Sequence, residues 1–237
     1  MGEHDNIEQP QTDEAEASND NYTPLLAMGL AFELGLAAVG FVLGWMLGPW
    51  PWINQSWNAL PEVGWVHELT MSSLGVLAAL PLLLLVVFLD RMETSWVRGL
   101  ANHTRNVLGA FICGAPIYML LVISLAAGFG EELFFRGWLQ RWLEMLLGAQ
   151  LGDSLVAILL TSIIFGVCHA LSWTYAIAAA AVGAYMSLLL NGTHSLLCPI
   201  AAHAAYDFLA MLWMRHQWRV HSRFACAKTL SFLDNPH

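Results

Sequence analysis

The chain has 237 residues, of which 57% are hydrophobic and only 11% are charged, and its formal net charge is −9. An ordinary soluble domain carries about 25% charged residues, so this composition excludes a disordered chain and argues against a soluble globular domain. Residues 1–22 contain seven of the eighteen acids and no Lys or Arg. The negative charge therefore belongs to an N-terminal tail, and the remainder has no basic patch of the kind that binds nucleic acid.

Apolar runs of the length that crosses a bilayer, about 20 residues, indicate a multi-pass membrane protein. Backbone groups in hydrocarbon must be satisfied within their own segment, so these runs are predicted as helices. Residues 132–148 are amphipathic and predict a part-inserted helix. The expected fold is all-α, a transmembrane bundle of about six helices plus this amphipathic one. The predicted spans are residues 25–47, 69–89, 107–128, 155–171, 173–190 and 196–214.

The chain is expected to divide into four parts. An acidic, disordered tail covers residues 1–22, two accessory transmembrane helices cover 23–105, a core bundle covers 106–214 and a basic tail covers 215–237. Trp and Pro between the first two helices suit an interfacial aromatic belt. Basic residues cluster near residues 91–105 and after 214, and the positive-inside rule then predicts cytoplasmic N- and C-termini. The bundle is expected to be surrounded by membrane lipid.

Ionisable groups inside a membrane are costly, so each is a candidate functional residue. The sharpest group is Glu131, Glu132 and Arg136. On a helix Glu132 and Arg136 are four residues apart and share a face, which favours an ion pair. Glu131 then points about 100° away from that face and is free to act on a water. A solvated interfacial face is the alternative interpretation of the same residues.

Two further polar positions lie in apolar helices. His169 follows Phe165-Gly-Val-Cys, and His203 precedes Asp207 by four residues. The latter spacing lets a carboxylate orient an imidazole, or lets both converge on a metal or a water. Taken alone, His169 is equally consistent with a hydrogen-bonded core residue, and the His203–Asp207 pair with a purely structural contact.

The chain can bring these groups to similar depth. From Glu131 to a turn near Gly148, and back to His169, the two legs have about equal length, roughly 25 Å each at 1.5 Å per residue. His203 is harder to bring to the same depth, because the chain segment that leads away from His169 is longer than the segment that returns to His203. A kink or a helix tilt is needed to close the difference.

Three motifs in order on successive helices resemble the intramembrane CAAX-prenyl-protease and bacteriocin-processing family. They are Glu-Glu-x-x-x-Arg at residues 131–136, Phe-x-x-x-His at 165–169 and His-x-x-x-Asp at 203–207. The resemblance covers about residues 107–214. It implies an intramembrane endopeptidase whose substrate is a membrane-anchored protein or peptide, either CAAX-like or a leader peptide.

The resemblance also implies roles for the residues. Glu131 activates the attacking water, and Glu132 and Arg136 support it. In a metalloprotease His169 and His203 are metal ligands; in a glutamate-dependent enzyme they position the water and stabilise the oxyanion.

The family has Asn or Asp where this chain has Asp207. An ionised Asp cannot donate to an oxyanion, which favours the metal. The expected ligand set is His169, His203, Asp207 and Glu131, and the expected ion is Zn²⁺, which lowers the pKa of a bound water toward about 7.

Other classes of protease carry different sequence motifs. The chain lacks His-Glu-x-x-His and Gly-x-Ser-x-Gly, and Gly128-Phe-Gly130 is followed by Glu131 rather than by the Asp of presenilin-type proteases. A non-catalytic membrane scaffold, immunity or regulatory protein with the same fold is the alternative function.

Glu33 is predicted to hydrogen-bond within the bundle or to face its cavity. The four Cys residues are scattered without a Cys-x-x-Cys pair and suit buried packing.

Overall fold

The computed structural model describes residues 22–48, 64–92, 94–148 and 151–233, and every regular element within them is helical. In this part of the chain five helices are long and apolar enough to cross a membrane, and residues Ser154–Cys168 form a shorter apolar helix. The predicted all-α membrane bundle is therefore confirmed. Most of the acidic tail and of the Trp- and Pro-rich stretch lies outside the described residues.

Eight α-helices and one π-helix follow one another in the described residues. They are α1 (Thr23–Leu47), α2 (Gly64–Asp90), α3 (Ser95–Gly114), α4 (Ile117–Glu132), the π-helix (Leu133–Gln140), α5 (Arg141–Leu147), α6 (Leu151–Cys168), α7 (Trp173–Thr193) and α8 (Leu197–Leu233).

The predicted span at residues 107–128 is wrong in its boundaries, because the helix breaks at Ala115 and Pro116. Pro116 lacks an N–H and disfavours helical backbone in the residue before it, and Ala115 is extended with φ −61° and ψ 145°. The chain thus ends α3 at Gly114 and starts α4 at Ile117. After Glu132 the chain continues as the π-helix and α5, so that Ile117–Leu147 is one helical stretch of 31 residues. The part-inserted position of residues 132–148 stays a prediction.

Helix packing places α4 in the interior, between α1 on one side and α8 on the other. Glycines make these crossings close, as small residues do in membrane bundles. A Cβ on Gly130 would meet the carbonyl oxygen of Glu33 in α1, and one on Gly128 would lie 2.8 Å from the backbone N of Ala204 in α8. Helices α6 and α7 pack along each other and against the π-helix.

The outside of the bundle is apolar and its inside holds charge. Phe32, Leu84 and Val167 are each about two-thirds exposed, at 66% for all three, whereas Glu132 and Arg136 are fully buried at 0%. This distribution is the one expected where lipid is the solvent and polar side chains turn toward the interior.

We expect Gly75→Ala to destabilise the bundle, because its new Cβ would meet the carbonyl oxygen of Cys198 in α8 and lie 3.1 Å from the backbone N of Ala202. Overpacking of this kind costs about 1–3 kcal/mol. Thermal unfolding in detergent measures it. Gly35→Ala is the matched control, since a Cβ there has nothing within 4 Å. Equal melting temperatures for the two variants would contradict the close α2–α8 crossing.

Candidate active site

The paired carboxylates lie at the junction of two helix types. Glu131 and Glu132 are the last residues of α4, and Arg136 lies in the π-helix that follows. A π-helix is rare and occurs often at functional sites. All of its residues except Phe134 are buried, so the widened turns face the bundle interior.

Glu132 is held by two charged or polar neighbours. Its Oε1 accepts a hydrogen bond of 2.8 Å from Arg136 Nη1 and one of 2.7 Å from His203 Nδ1. Arg136 in turn donates from Nη2 to the carbonyl of Gly183 at 2.9 Å, and its guanidinium lies 4.6 Å from the ring centre of Phe165. Glu132 is therefore fixed as a structural anion.

Glu131 is the carboxylate without such restraint. Its Oε1 lies 3.4 Å from His169 Nε2, and its Oε2 lies 4.0 Å from His203 Nε2. Oε2 is buried and has no hydrogen-bond partner in the described part of the chain. The sequence prediction that one carboxylate pairs with Arg136 and the other points elsewhere matches this geometry.

His169 is oriented by the end of its own helix. Its Nδ1 lies 2.8 Å from the carbonyl oxygen of Phe165, and its ring stacks on the Phe165 ring at 4.3 Å between centres. A carbonyl only accepts, so Nδ1 carries a proton, and Nε2 is turned toward Glu131. A water that bonds to both Nε2 and Glu131 lies to one side of them, because the 3.4 Å gap leaves no room between the two atoms.

His203 stands between all the carboxylates of the site. Its Nδ1–H donates to Glu132, because an ionised carboxylate only accepts, and its Nε2 lies 3.5 Å from Asp207 Oδ2. Sequence reasoning paired His203 with Asp207 and missed Glu132 as its shortest contact. No periodicity could have found that pair, since the two residues are 71 positions apart on different helices. The side chains of His169 and Asp207 are 27% and 30% exposed and open the site on one side.

The side chains expected to bind zinc are not arranged as a zinc site in this structure. In the described residues no three His, Cys, Asp or Glu side chains are grouped so that they could hold a metal ion. Zinc needs four ligand atoms at about 2.0–2.3 Å from one centre. We therefore derive no catalytic step through a metal. Cys113, Cys168 and Cys198 are free thiols and lie outside the carboxylate–histidine cluster.

Glu33 is a fourth carboxylate near this cluster. Its side chain is 8% exposed, and Oε2 is buried without a hydrogen-bond partner among the described residues. The close crossing of α1 and α4 brings the carbonyl of Glu33 against Gly130, the residue before Glu131. The two positions predicted for the Glu33 side chain from the sequence stay predictions.

A family model described as type II CAAX prenyl endopeptidase Rce1-like matches residues 113–209. The matched segment, less than half of the chain, is similar to that family. The match confirms the resemblance found in the sequence motifs, and the Rce1-like segment contains all six predicted site residues. Helices α1 and α2 lie outside it. No curated protein and no solved structure matches the chain. With five apolar helices of membrane-spanning length and an Rce1-like segment, the chain is an integral membrane protein.

We expect Arg136→Met to destabilise the protein by about 3–5 kcal/mol, because removal of one partner leaves the other charge of a buried pair uncompensated. Unfolding in detergent measures the loss. The double variant Arg136→Met, Glu132→Gln removes both charges and should recover part of it. If Arg136→Met alone unfolds like the unmodified protein, the ion pair does not anchor the site.

Proposed function

We propose that the protein is an intramembrane endopeptidase in which Glu131 activates water to hydrolyse a peptide bond of a membrane-anchored substrate. The observation that carries the proposal is the contrast between two adjacent carboxylates. Glu132 Oε1 accepts short hydrogen bonds from Arg136 and His203, whereas Glu131 faces two imidazole nitrogens at 3.4 and 4.0 Å and accepts no hydrogen bond as short as those of Glu132. A general base needs a free acceptor within reach of the water from which it takes a proton.

The proposed reaction uses side chains of the Rce1-like segment alone. A water held beside Glu131 and His169 attacks the carbonyl carbon while Glu131 takes one of its protons. His203 in its imidazolium form donates from Nε2 to the developing oxyanion, and Asp207 offsets that positive charge. Glu131 then gives its proton to the leaving amine nitrogen as the C–N bond breaks. The products are a carboxylic acid, which loses its proton to solvent, and a free amine, with one water consumed.

The proposed substrate class follows from the family and from where the site opens. The match to type II CAAX prenyl endopeptidases supports a prenylated C-terminal CAAX peptide or a similar lipid-anchored chain. The partly exposed His169 and Asp207 form the open side at which an extended peptide would reach Glu131. The anchor would stay in lipid beside the apolar outer surface.

We expect Glu131→Gln to reduce cleavage of a prenylated CAAX peptide in proteoliposomes by about 10²- to 10⁴-fold, the usual contribution of a general base. Expression and melting temperature should stay close to those of the unmodified protein. Asp90→Asn, which changes an exposed carboxylate at the end of α2, is the control and should retain full activity. Undiminished cleavage by Glu131→Gln would reject the mechanism, and no cleavage by the unmodified protein would favour a non-catalytic bundle.

We further expect hydrolysis to persist after dialysis against a chelator, because the proposed steps need no metal. Elemental analysis of protein never exposed to chelator should find well below one zinc per chain. About one zinc per chain, lost in the double variant His169→Ala, His203→Ala together with activity, would contradict this and restore the zinc interpretation drawn from the sequence.

A further inference from the structure

A groove of about 530 Å³ lies between α3 and α8, on the part of α8 that extends beyond the carboxylate–histidine cluster. We call it the basic groove. It reaches twelve residues past Asp207, or roughly 18 Å at 1.5 Å per residue. Two of its side chains are guanidiniums, and no carboxylate of the described chain lines it. The residues that line it include Arg105, Asn106, Gly109, Cys113, Trp218 and Arg219.

Two arginines of α8 fasten that helix to the end of α3. Arg215 Nη1 donates to the carbonyl of Ala115 at 2.7 Å, and Arg219 Nη2 donates to the carbonyl of Cys113 at 2.5 Å. Cations at this position offset the partial negative charge of the last carbonyls of a helix. The negative end of α3 is therefore partly neutralised, and the charge of Arg219 is fixed beside the basic groove.

Arg105 is the second guanidinium of the basic groove. It is exposed, as is Asn106 beside it, and it forms no ion pair or hydrogen bond within the described residues. Gly109 keeps the space next to Arg105 open, because a Cβ there would lie 3.3 Å from Arg105 Cγ and 3.7 Å from the Trp218 ring. The donors of Arg105 thus face open space instead of acceptors of the protein.

Helices α2 and α8 run in the same direction. Ser195 Oγ, just before α8, donates to Glu68 Oε2 near the start of α2 at 2.8 Å. Further along both helices, a Cβ on Gly75 would lie 3.0 Å from the Cβ of Ala201. Both chains have therefore advanced by about the same length between these two contacts, and their later residues are level as well.

Helix α3 begins and ends on one face of the bundle. Asp90, the last residue of α2, is fifteen residues past Gly75, and Arg215 is fourteen past Ala201, so the two lie at similar depth. Helix α3 starts at Ser95, shortly after Asp90, and its last carbonyls meet the Arg215 turn. It is not among the helices of the described chain that are apolar enough to cross a membrane. The basic groove therefore lies where the membrane spans end.

Helix α3 has the amphipathic pattern of a helix in the headgroup layer. Arg98, Asn102 and Arg105 are exposed and share one face, whereas Val97 and Ile112 are buried. Amphipathic helices with arginines on the polar face lie in the plane of the membrane interface, and Trp is enriched at the same level. Phosphate groups of lipids are therefore the anions nearest to the basic groove.

We propose that the basic groove binds the phosphate headgroup of an anionic phospholipid. The planar guanidinium of Arg105 donates paired hydrogen bonds to phosphate oxygens, Asn106 adds a neutral donor and Arg219 adds positive charge. The volume of about 530 Å³ is within the range of about 300–1,000 Å³ for small-ligand sites. The acyl chains stay in lipid beside α4, whose exposed apolar surface starts at Ile117. This site does not depend on the proposed function.

The acidic stretch that precedes Tyr22 is the competing occupant. Its charge is opposite to that of the basic groove, and Tyr22 packs against Phe111 of α3 at 6.2 Å between ring centres. The lipid is the better match, because the groove lies at the level of the headgroups, where basic pockets between membrane helices bind anionic lipids.

The proposal is tested by titration of phosphatidylglycerol into the full-length protein in a neutral detergent, with bound lipid counted by native mass spectrometry. We expect one lipid to bind and Arg105→Gln to weaken its binding about tenfold or more, through loss of a hydrogen bond to a charged group. Arg98→Gln is the matched control, because it removes the same charge from the same face of α3 about 10 Å away. Screening over that distance should limit its effect to about twofold. Equal weakening by both variants would overturn the proposal.

Gly109→Leu tests the space without a change in charge. Its side chain would occupy the region between Arg105 and the Trp218 ring, and we expect it to weaken phosphatidylglycerol binding about as much as Arg105→Gln does. Melting temperature in lipid-free detergent reports whether the variant is folded. Unchanged binding by a folded Gly109→Leu would overturn the basic groove as the site. The comparison of Arg105→Gln with Arg98→Gln decides the question if Gly109→Leu does not fold.

Further titrations identify the occupant. Phosphatidylcholine should bind about tenfold more weakly than phosphatidylglycerol, and equal binding would overturn recognition of an anionic lipid. Glycerol phosphate should not displace the lipid at equal concentration; displacement would assign the groove to a free phosphate instead. If only a variant with the seven acids of residues 1–22 replaced by Asn or Gln binds phosphatidylglycerol, the acidic stretch is the occupant and the lipid proposal fails. Each readout is independent of peptide cleavage, so failure of the proposed function leaves it unaffected.

Discussion

The rest of the site depends on the burial of one charge, the carboxylate of Glu132. An unpaired carboxylate in a lipid-surrounded interior is strongly unfavourable, so its position is tolerable only because Arg136 and His203 both bond to the same oxygen. Those bonds tie the π-helix to α8, and Arg136 extends the link to the Gly183 carbonyl in α7. Three helices thus meet at a single anion, and their relative depth is set there.

This arrangement gives the adjacent residues Glu131 and Glu132 different roles. Glu132 Oε1 is bonded to Arg136 and His203, and Glu131, one position earlier, faces the imidazoles of His169 and His203 instead of Arg136. The rotation of about 100° between adjacent helical residues is sufficient to separate them. His169 and His203 are likewise distinguished by their Nδ1 partners, a carbonyl oxygen and a carboxylate, so that the two rings present Nε2 to the same space.

Local features of this structure could be predicted from the sequence, and contacts between distant helices could not. The spacing of Glu132 and Arg136 predicts their pairing. The two chain segments on either side of residue 148 have about equal length, which predicts that Glu131 and His169 lie at similar depth. The bond between Glu132 and His203 depends on how α4 and α8 cross, which residue spacing within one helix does not encode. Pro116 is visible in the sequence, but the residues on both sides of it are apolar, so hydrophobicity alone predicts one continuous span there. The zinc prediction, drawn from residue types, the His203–Asp207 spacing and the family resemblance, stays a prediction, because ligand distances depend on how separate helices pack.

The π-helix carries a consequence for how this helix tolerates change in length. A π-helical turn contains more residues than an α-helical one, because its hydrogen bonds run from i to i+5 rather than from i to i+4. Loss of a single residue within Leu133–Gln140 would let the segment revert to regular α-helix without breaking it. Everything beyond the deletion would keep about the same face toward the bundle, because π-helical turns take up more residues than α-helical turns over the same rotation. A deletion within regular α-helix would instead turn everything beyond it by about 100°, so the loss of one residue is better tolerated within Leu133–Gln140 than in the α-helices on either side.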